Sequence, residues 1–283
     1  MKKNGLADDT IKNVRKRLQA LRKQVADLDD PEQVKTYIAT ADLTNGYKRA
    51  LCYAYNKYVQ VNGLTWDKPK YYQTAKMRKI PHDNKIECII ANASKKLATA
   101  IAISKDTGLR PVELMKLKLR DVDLSKGAIY PETAKHGNPR VMKLSNRTLN
   151  MLNRHIEKER IGLNENIFGT WNSDTYGKNF RYTRNRTAEK TADPSIRTIR
   201  LYDLRHYYAT MLYHKTKDIL HVKQQMGHKK LETTLIYTQL LNLNDDEWSC
   251  KTATTIEQAT QLIEAGFTYV TEIDGTRLFR KRK

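Results

Sequence analysis

Three side chains suited to chemistry on an anion are concentrated in one stretch of the chain. Arg205 lies at the start of an amphipathic segment, His228 follows a second short segment, and Tyr237 lies near the end of a third. An arginine can hold an oxyanion through two parallel hydrogen bonds, and a tyrosine hydroxyl can act as a nucleophile. Apolar residues recur at helical spacing behind Arg205, and Asp218 and Gly227 are suited to cap the second segment at its two ends, so three consecutive short helices are predicted to present these side chains.

Two further cations precede this stretch. Arg110 lies directly before Pro111, which begins a predicted helix, and an arginine at such a turn can hold a phosphate together with free backbone N–H groups. Glu113 lies one turn into that helix, where it can either orient Arg110 or cap the helix. Lys135 lies beside a predicted turn between two short strands, and a lysine on such a hairpin can reach a reacting group as a general acid.

Four segments of the sequence resemble the motifs of the tyrosine recombinases, the lambda-integrase-like or phage integrase family. They read TGLRPVELMKL, TAKHGNPRV, LYDLRHYYAT and MGHKKLETTLIYT, and they carry Arg110, Lys135, Arg205, His228 and Tyr237 in the family's order. The resemblance implies a mainly α fold with a small β-sheet, in which an N-terminal helical DNA-binding domain precedes an α+β catalytic domain. It also implies a homo-tetramer that assembles on double-stranded DNA at a specific target site.

By this resemblance, Tyr237 attacks the scissile phosphate and becomes joined to the 3′ phosphate, while Arg110 and Arg205 stabilise the charge of the transition state. Lys135 protonates the departing 5′ oxygen, and His228 hydrogen-bonds the phosphate or assists Tyr237. The covalent link stores the energy of the broken bond, so rejoining needs no ATP. The sequence offers no acidic cluster for a two-metal site, and we therefore expect neither a metal nor another cofactor.

Tyr202 departs from the family pattern, which usually has a histidine three residues before the second arginine. A phenol can still donate a hydrogen bond to a phosphate oxygen, but it is a poorer proton shuttle at neutral pH than an imidazole. The departure leaves the acid–base role of this position open. It also leaves room for a slow or inactive enzyme.

The charge of the whole chain favours a polyanionic partner. The net charge is +21 over 283 residues, and such an excess attracts nucleic acid through long-range electrostatics and counterion release. A membrane surface is disfavoured, because no helix pairs a basic face with Trp or Phe and no apolar run is long enough to span. The three scattered cysteines are typical of reduced thiols in an intracellular protein, so we expect a cytoplasmic, nucleoid-associated protein.

Composition and periodicity predict four parts of the chain. Residues 1–65 read as a helical DNA-binding domain, 66–81 as a basic linker, 82–241 as the catalytic domain and 242–283 as a tail of one helix plus a β-hairpin. A helix and one hairpin are too small to be stable alone, so we expect the tail to dock on a neighbouring protomer or on its own catalytic domain. The first and third helices carry the cations predicted to contact DNA: Lys12, Arg15, Lys16, Arg22, Lys23 and Lys48.

Several alternatives stay open at this point. Tyr237 can be a packing residue of its helix, and His228 can be a capping residue. A type IB topoisomerase has the same set of catalytic residues, and a DNA-binding protein of the same fold can have lost catalysis. Within the family, the tail and the lysine-rich composition favour an archaeal or archaeal-virus integrase.

Overall fold

The computed structural model describes residues 5–72, 79–134, 137–238, 248–273 and 275–282. Within these ranges the chain is mostly helical and has two small antiparallel sheets, which confirms the predicted fold class. The chain divides into two compact units, Met1–Met77 and Arg78–Lys283. Each unit is described separately below.

The first unit is built from three helices around one apolar core. Asp30 caps the second helix by accepting from two backbone N–H groups, and Thr44 caps the third by accepting from the N–H of Tyr47. Leu21, Ile38 and Tyr55, one from each helix, are almost fully buried in the core. The bounds of the helices are α1 (Asp8–Arg22), α2 (Pro31–Thr40) and α3 (Asn45–Asn62).

The packing of this unit extends past residue 65, where the sequence places the start of a linker. The indole of Trp66 packs edge-on against Tyr55 with 4.8 Å between ring centroids, and its Nε1 donates to Asn56. Tyr71 also packs against the same core. Residues 73–78 of the predicted linker lie outside the described residues.

The core of the second unit surrounds one apolar helix, α5. Its residues Ala100, Ile101 and Ile103 are fully buried, because this segment is apolar on most of its faces rather than along one stripe. Helices from before and after it in the chain cover it. The bounds are α4 (Asp83–Ala91), α5 (Lys95–Thr107), α6 (Pro111–Lys116), α7 (Asn146–Glu159) and α8 (Ser173–Lys190).

A small sheet of three two-residue strands follows α6. The strands β1 (Val122–Asp123), β2 (Ala128–Ile129) and β3 (Met142–Lys143) are antiparallel in the order β1-β2-β3. The sequence predicts a longer α6 that continues to Val122, and this is wrong. Leu117 instead has extended backbone and accepts a hydrogen bond from the N–H of Ile167, which ends the helix.

Three consecutive short helices lie in the last part of the predicted catalytic domain, as the sequence predicts, but the third ends at Leu235, so Tyr237 follows it rather than lying within it. They are α9 (Asp203–Thr216), α10 (Ile219–Met226) and α11 (Glu232–Leu235). The side chain of Asp218 caps α10 by accepting from two backbone N–H groups. Where these helices meet, Ala209, Val222 and Met226 form a small core.

The C-terminal segment has one more strand than the sequence predicts. It contains β4 (Trp248–Ala253), α12 (Ile256–Glu264), β5 (Thr268–Ile273) and β6 (Thr276–Arg282), with the strands in the order β4-β6-β5. The predicted helix and hairpin are both present as α12 and β5–β6, and the sequence missed only β4, which pairs with β6 along its whole length. Ala253, Ala259 and Phe279 form a core within the segment, so α12 packs on its own sheet.

Candidate active site

The guanidinium of Arg205 is buried and held by three hydrogen bonds. Its Nη1 donates to the carbonyl of Gly108 at 2.6 Å, and its Nη2 donates to the carbonyl of Met226 at 2.5 Å and to Nε2 of His228 at 3.2 Å. Gly108 lies in the loop that carries Arg110, and Met226 ends the helix before His228. Arg205 therefore joins the two loops that present the other predicted site residues.

Close packing requires a glycine in each of these two loops. Gly108 has φ +59°, and a Cβ at this position would lie 2.6 Å from the ring of Tyr208. Gly227 has φ +61°, and a Cβ there would lie 2.9 Å from Nη1 of Arg140 and 3.0 Å from the carbonyl oxygen of Asn138. A side chain at Gly108 would collide with Tyr208 of α9, and one at Gly227 would press on the loop that contains Asn138 and Arg140.

The imidazole of His228 is neutral, and its hydrogen bonds fix its tautomer. A guanidinium has no acceptor, so Nε2 must accept from Arg205, and the proton lies on Nδ1, which contacts Oγ1 of Thr234 at 3.0 Å. Burial, together with the positive charges of Arg205, Arg110 and Arg140, lowers the pKa of His228 to about 4. The ring therefore stays uncharged at neutral pH.

Glu113 both orients Arg110 and caps α6. Its Oε1 accepts from Nη1 of Arg110 at 2.7 Å, and its Oε2 accepts from the backbone N–H of Arg110 at 3.0 Å. The two roles that the sequence offers as alternatives therefore coexist in one carboxylate. The result is a guanidinium fixed beside the first turn of α6.

The same carboxylate also holds both ends of the loop from 135 to 139. Oε1 of Glu113 accepts from the N–H of Ala134 at 3.1 Å, and Oε2 accepts from Nη2 of Arg140 at 2.6 Å. Burial alone would raise the pKa of Glu113, but the charge of Arg140 and the hydrogen bonds from Arg110 and Ala134 outweigh it and lower the pKa. Glu113 is therefore ionised between two arginines.

Lys135 and His136 lie outside the described residues, but the residues around them are placed. The N–H of Asn138 donates to the carbonyl of Gly227 at 3.4 Å, directly before His228. A Cβ on Gly137 would lie 3.7 Å from Nη1 of Arg110. The described part of this loop thus lies against both Arg110 and the loop of His228.

Tyr237 is buried, and its hydroxyl contacts a second histidine. The residue follows the end of α11, only 2% of its surface is exposed, and its ring packs with Ala209 and Met226. Its hydroxyl lies 3.0 Å from Nδ1 of His206. His206 directly follows Arg205 on α9, so one turn of α9 contacts both His228 and Tyr237.

Tyr202 lies at the exposed edge of this arrangement. It precedes α9, 44% of its surface is exposed, and its ring lies edge-on against His206 with 5.3 Å between centroids. Beneath it, burial and the charge of Arg110 lower the pKa of Arg205 to about 10, so Arg205 stays protonated at neutral pH. Tyr202 is the one site residue among those described that solvent reaches freely.

The six cations predicted to contact DNA all lie in the first unit, and five of them are exposed to solvent. Lys48 is half-buried, donates to the carbonyl of Ala39 at 2.8 Å and lies over the ring of Tyr71, so its charge is used within the unit. The other five belong to the first helix and its end, and they are exposed: Lys12, Arg15, Lys16, Arg22 and Lys23.

The sequence did not single out two residues of the candidate active site, Arg140 and His206. Arg140 is the last residue but one of the segment TAKHGNPRV, five positions after Lys135, but it is one of 52 basic residues. His206 is adjacent to Arg205, and neighbouring helix residues point about 100° apart, so adjacency did not indicate a shared site. Arg140 and His206 can be recognised as site residues only in the three-dimensional structure, where they contact Glu113 and Tyr237.

The part of the chain that the structure describes offers neither a metal site nor a membrane-spanning helix. There, no three His, Cys, Asp or Glu side chains are grouped so that they could hold a metal ion. Among the helices of the same part, none has the length and apolar composition needed to cross a membrane.

Comparison with known proteins gives a family, several relatives and several folds. The model of the phage integrase family matches residues 80–243, which is more than half of the chain. This range contains α4 to α11 and every residue of the cluster described above. The first three helices lie before the matched range.

The chain is similar in sequence to recombinases of several microorganisms. A probable integrase/recombinase protein of Methanocaldococcus jannaschii is 32% identical over 50% of this chain and 44% of its own length. The tyrosine recombinase XerA of Saccharolobus solfataricus is 27% identical over 54% of this chain and 49% of its own length. The chain therefore matches about half the length of these two relatives. A tyrosine recombinase of Thermosipho africanus is 25% identical over 83% of this chain and 88% of its length.

The fold is similar to solved structures that are distant in sequence. A lambda integrase dimer bound to a core site matches with a TM-score of 0.61 and 17% identity, covering 86% of this chain and 93% of that one. The integrase of the transposon Tn1549, in complex with transposon right end DNA, matches with a TM-score of 0.63 and 17% identity, covering 92% and 94%. At such identities the likeness concerns the fold.

Proposed function

Because the chain belongs to the phage integrase family, we propose that it is a site-specific tyrosine recombinase that cuts and rejoins double-stranded DNA. The reaction passes through a covalent 3′-phosphotyrosine intermediate and uses neither a metal nor ATP. The observation that carries the proposal is one buried cluster in which Arg205 bonds His228 while the next residue of α9 contacts Tyr237. Phosphoryl transfer requires a nucleophile and fixed cations that are held close together.

Each residue then has one task. The hydroxyl oxygen of Tyr237 forms a bond to phosphorus as the bond from phosphorus to the 5′ oxygen breaks. Arg110 and Arg205 hold the non-bridging oxygens, whose charge grows in the transition state. Lys135 gives a proton to the 5′ oxygen, and His228 donates a hydrogen bond to the phosphate after its contact with Thr234 opens. Attack by a 5′ hydroxyl from a second duplex reverses the steps and completes strand exchange.

Glu113 acts by positioning rather than by touching the substrate. Its carboxylate holds Arg110 on one side and, through Ala134 and Arg140, both ends of the loop that carries Lys135. One carboxylate therefore holds Arg110 and the two residues that flank the loop, and we expect it to orient the cation and the loop together. A shift of one ångström in such a group can lower the rate about 10²-fold.

Double-stranded DNA is the proposed partner. The related solved integrases of lambda and Tn1549 are complexes with DNA, and the net charge of +21 favours the same kind of partner here. We assign DNA contacts to the first unit through the exposed cations of α1 and its end. We also assign a homo-tetramer on DNA, because strand exchange between two duplexes requires four cleavages.

The test is a suicide DNA substrate whose cleaved fragment diffuses away and traps the covalent intermediate. The wild-type chain should give a 3′-phosphotyrosyl adduct, whereas Tyr237→Phe should bind the same DNA with unchanged affinity and give no adduct. Products that join two duplexes identify a recombinase, and relaxation of a plasmid alone identifies a topoisomerase. A shifted band without an adduct from the wild-type chain would reduce the protein to a DNA-binding role.

A further inference from the structure

The partner of the Tyr237 hydroxyl is His206, a residue outside the set that the family resemblance supplies. The distance from Oη to Nδ1 is 3.0 Å, and both side chains are buried. The two rings are 5.8 Å apart and inclined by 44°, so the contact is made by the ring nitrogen and not by stacking. A phenol buried against an imidazole nitrogen is arranged for transfer of the phenol proton.

His228 is already engaged elsewhere. Its Nε2 accepts from Arg205 and its Nδ1 contacts Thr234, so neither nitrogen is directed to Tyr237. For His228 to take the proton of Tyr237, its contact with Arg205 would have to break. His206 needs no such change, because its Nδ1 already lies at hydrogen-bond distance from the hydroxyl.

We propose that His206 is the catalytic base that accepts the proton of Tyr237. This inference rests on the proposed function. As the Tyr237 oxygen bonds phosphorus, its proton passes to Nδ1 of His206, and the 5′ oxygen leaves with a proton from Lys135. In the rejoining step the imidazolium of His206 returns its proton to the departing Tyr237 oxygen, and the incoming 5′ hydroxyl gives its own to Lys135. Protons and charge balance in both directions.

The position of His206 on α9 fixes the proposed base relative to Arg205, the arginine proposed to hold the phosphate. Arg205 precedes it in the same turn, so a rigid helix sets the separation between the guanidinium and the imidazole. Among the described residues, the titratable groups near the imidazole include Tyr202, which lies edge-on against it, and His228, whose pKa it helps to lower. With Arg205 and Tyr237, these groups form the electrostatic environment in which His206 takes up its proton.

Two substitutions separate a base from a residue that only positions the phenol. His206→Asn places an acceptor oxygen near the site of Nδ1 but removes the basic nitrogen. His206→Phe keeps a ring but removes both the hydrogen-bond acceptor and the basic nitrogen. The measurement is the single-turnover rate of covalent adduct formation at saturating DNA. A base predicts that both variants lose about 10²-fold to 10⁴-fold in rate. A positioning role predicts that only His206→Phe is slow.

Matched controls exclude a folding effect. His221 lies on the neighbouring helix α10 and has no part in the cluster, so His221→Asn should cleave at the wild-type rate. DNA affinity and the unfolding midpoint of both His206 variants should stay close to wild type. If His206→Phe fails to fold, His206→Asn and its pH profile still decide the question.

The pH profile gives a signature that packing cannot produce. With a base present, the rate should level off once the His206 imidazole is neutral. In His206→Asn the phenol must ionise without help, so the rate should keep rising about tenfold per pH unit toward the alkaline range. A His206→Asn profile with the wild-type shape would contradict the proposal.

A modified substrate separates the base from the acid. Replacing the bridging 5′ oxygen by sulfur gives a leaving group that needs no proton, so it should restore Lys135→Ala and leave His206→Asn slow. Restoration of His206→Asn would place His206 on the leaving-group side and overturn the assignment. Wild-type adduct formation together with unimpaired His206→Asn refutes only this inference, while absence of any wild-type adduct refutes the proposed function itself.

Discussion

The active-site cluster and the first helix are both rich in cations, but they hold them in opposite ways. Arg205 is 2% exposed and each terminal nitrogen of its guanidinium is bonded, while Arg110 and Arg140 share the carboxylate of Glu113. On α1, by contrast, the cations from Lys12 to Arg22 that are assigned to DNA lie on the exposed face. The contacts in the active-site cluster fix the orientation of each guanidinium group. The exposed cations of α1 remain hydrated, and their side chains are free to move.

This difference assigns different work to the two regions. Burying a charge is unfavourable unless partners compensate for it, so every cation of the cluster must have a defined place. Fixed charges stabilise a transition state because they need no reorganisation during the reaction. Exposed charges act over a Debye length of about 8 Å at physiological salt and attract a polyanion whatever its sequence. We therefore expect the cluster to set the rate and the first unit to set the affinity.

The largest effect is expected at the carboxylate that compensates the buried arginines. Glu113→Gln leaves the buried guanidinium of Arg140 and the partly buried one of Arg110 without their counter-charge, and breaking a buried pair in this way costs about 3–5 kcal/mol of the free energy of unfolding. Urea unfolding measures it. Glu32→Gln, which breaks the exposed pair with Lys35 in the first unit, is the control and should cost well under about 1 kcal/mol. Equal costs would remove the contrast between the two regions.

Removal of a fixed cation should slow cleavage without weakening binding. Arg205→Ala is expected to lower the single-turnover cleavage rate about 10²-fold to 10³-fold at saturating DNA. Arg154→Ala, which removes an exposed arginine of the same unit, is the matched control and should leave the rate unchanged. If the slower cleavage of Arg205→Ala returns to the wild-type rate when more DNA is added, Arg205 acts on affinity and the contrast between the two regions fails.

Removal of the exposed cations should do the reverse. A variant with Lys12, Arg15, Lys16 and Lys23 all changed to Gln should bind DNA more weakly, and its log–log salt slope should fall by about 0.9 for each phosphate that is no longer neutralised. Its cleavage rate at saturating DNA should equal that of wild type. An unchanged salt slope would mean that α1 does not contact DNA.

The buried histidine should make stability depend on pH in a defined window. His228 has its pKa lowered from 6.5 to about 4, so between these values the unfolded chain holds a proton that the folded chain does not. Its contribution is complete above pH 6.5 and is lost as the pH falls toward about 4. Unfolding midpoints of wild type and His228→Asn across this window should converge as the pH is lowered. Parallel curves would show that His228 is not buried in its neutral form.

The smallest effect is expected at Tyr202. The side chain is exposed and lies against His206 by its edge only, so Tyr202→His should fold normally and change the cleavage rate by less than about tenfold. Single-turnover cleavage with the suicide substrate measures this. Complete loss of cleavage in Tyr202→His would show that the phenol itself takes part in the reaction.

The sequence predicted the elements that depend on local pattern. Asp218 and Gly227, which are suited to cap a helix, mark the two ends of α10. Residues whose partners lie far along the chain were not predictable in this way. β4 was missed because it pairs with β6, about thirty residues away, and follows directly on a polar, acidic run that resembles a linker.

The distinction between local pattern and distant partners also explains which site residues were predicted and which were missed. Arg110, Arg205 and His228 lie within recognisable motifs, so their neighbours in sequence indicated them. Arg140 and His206 depend on Glu113 and Tyr237, which are 27 and 31 positions distant. Their function arises from tertiary packing, and no local pattern records it.

The most direct measurement is to identify the residue that becomes attached to DNA. The wild-type chain is trapped on a suicide substrate, digested with protease, and the peptide that carries the 3′ nucleotide is sequenced by mass spectrometry. We predict one modified residue among the sixteen tyrosines of the chain, Tyr237, and no adduct in Tyr237→Phe. Attachment to Tyr202 or to any other residue, or binding with no attachment at all, would contradict the proposed chemistry.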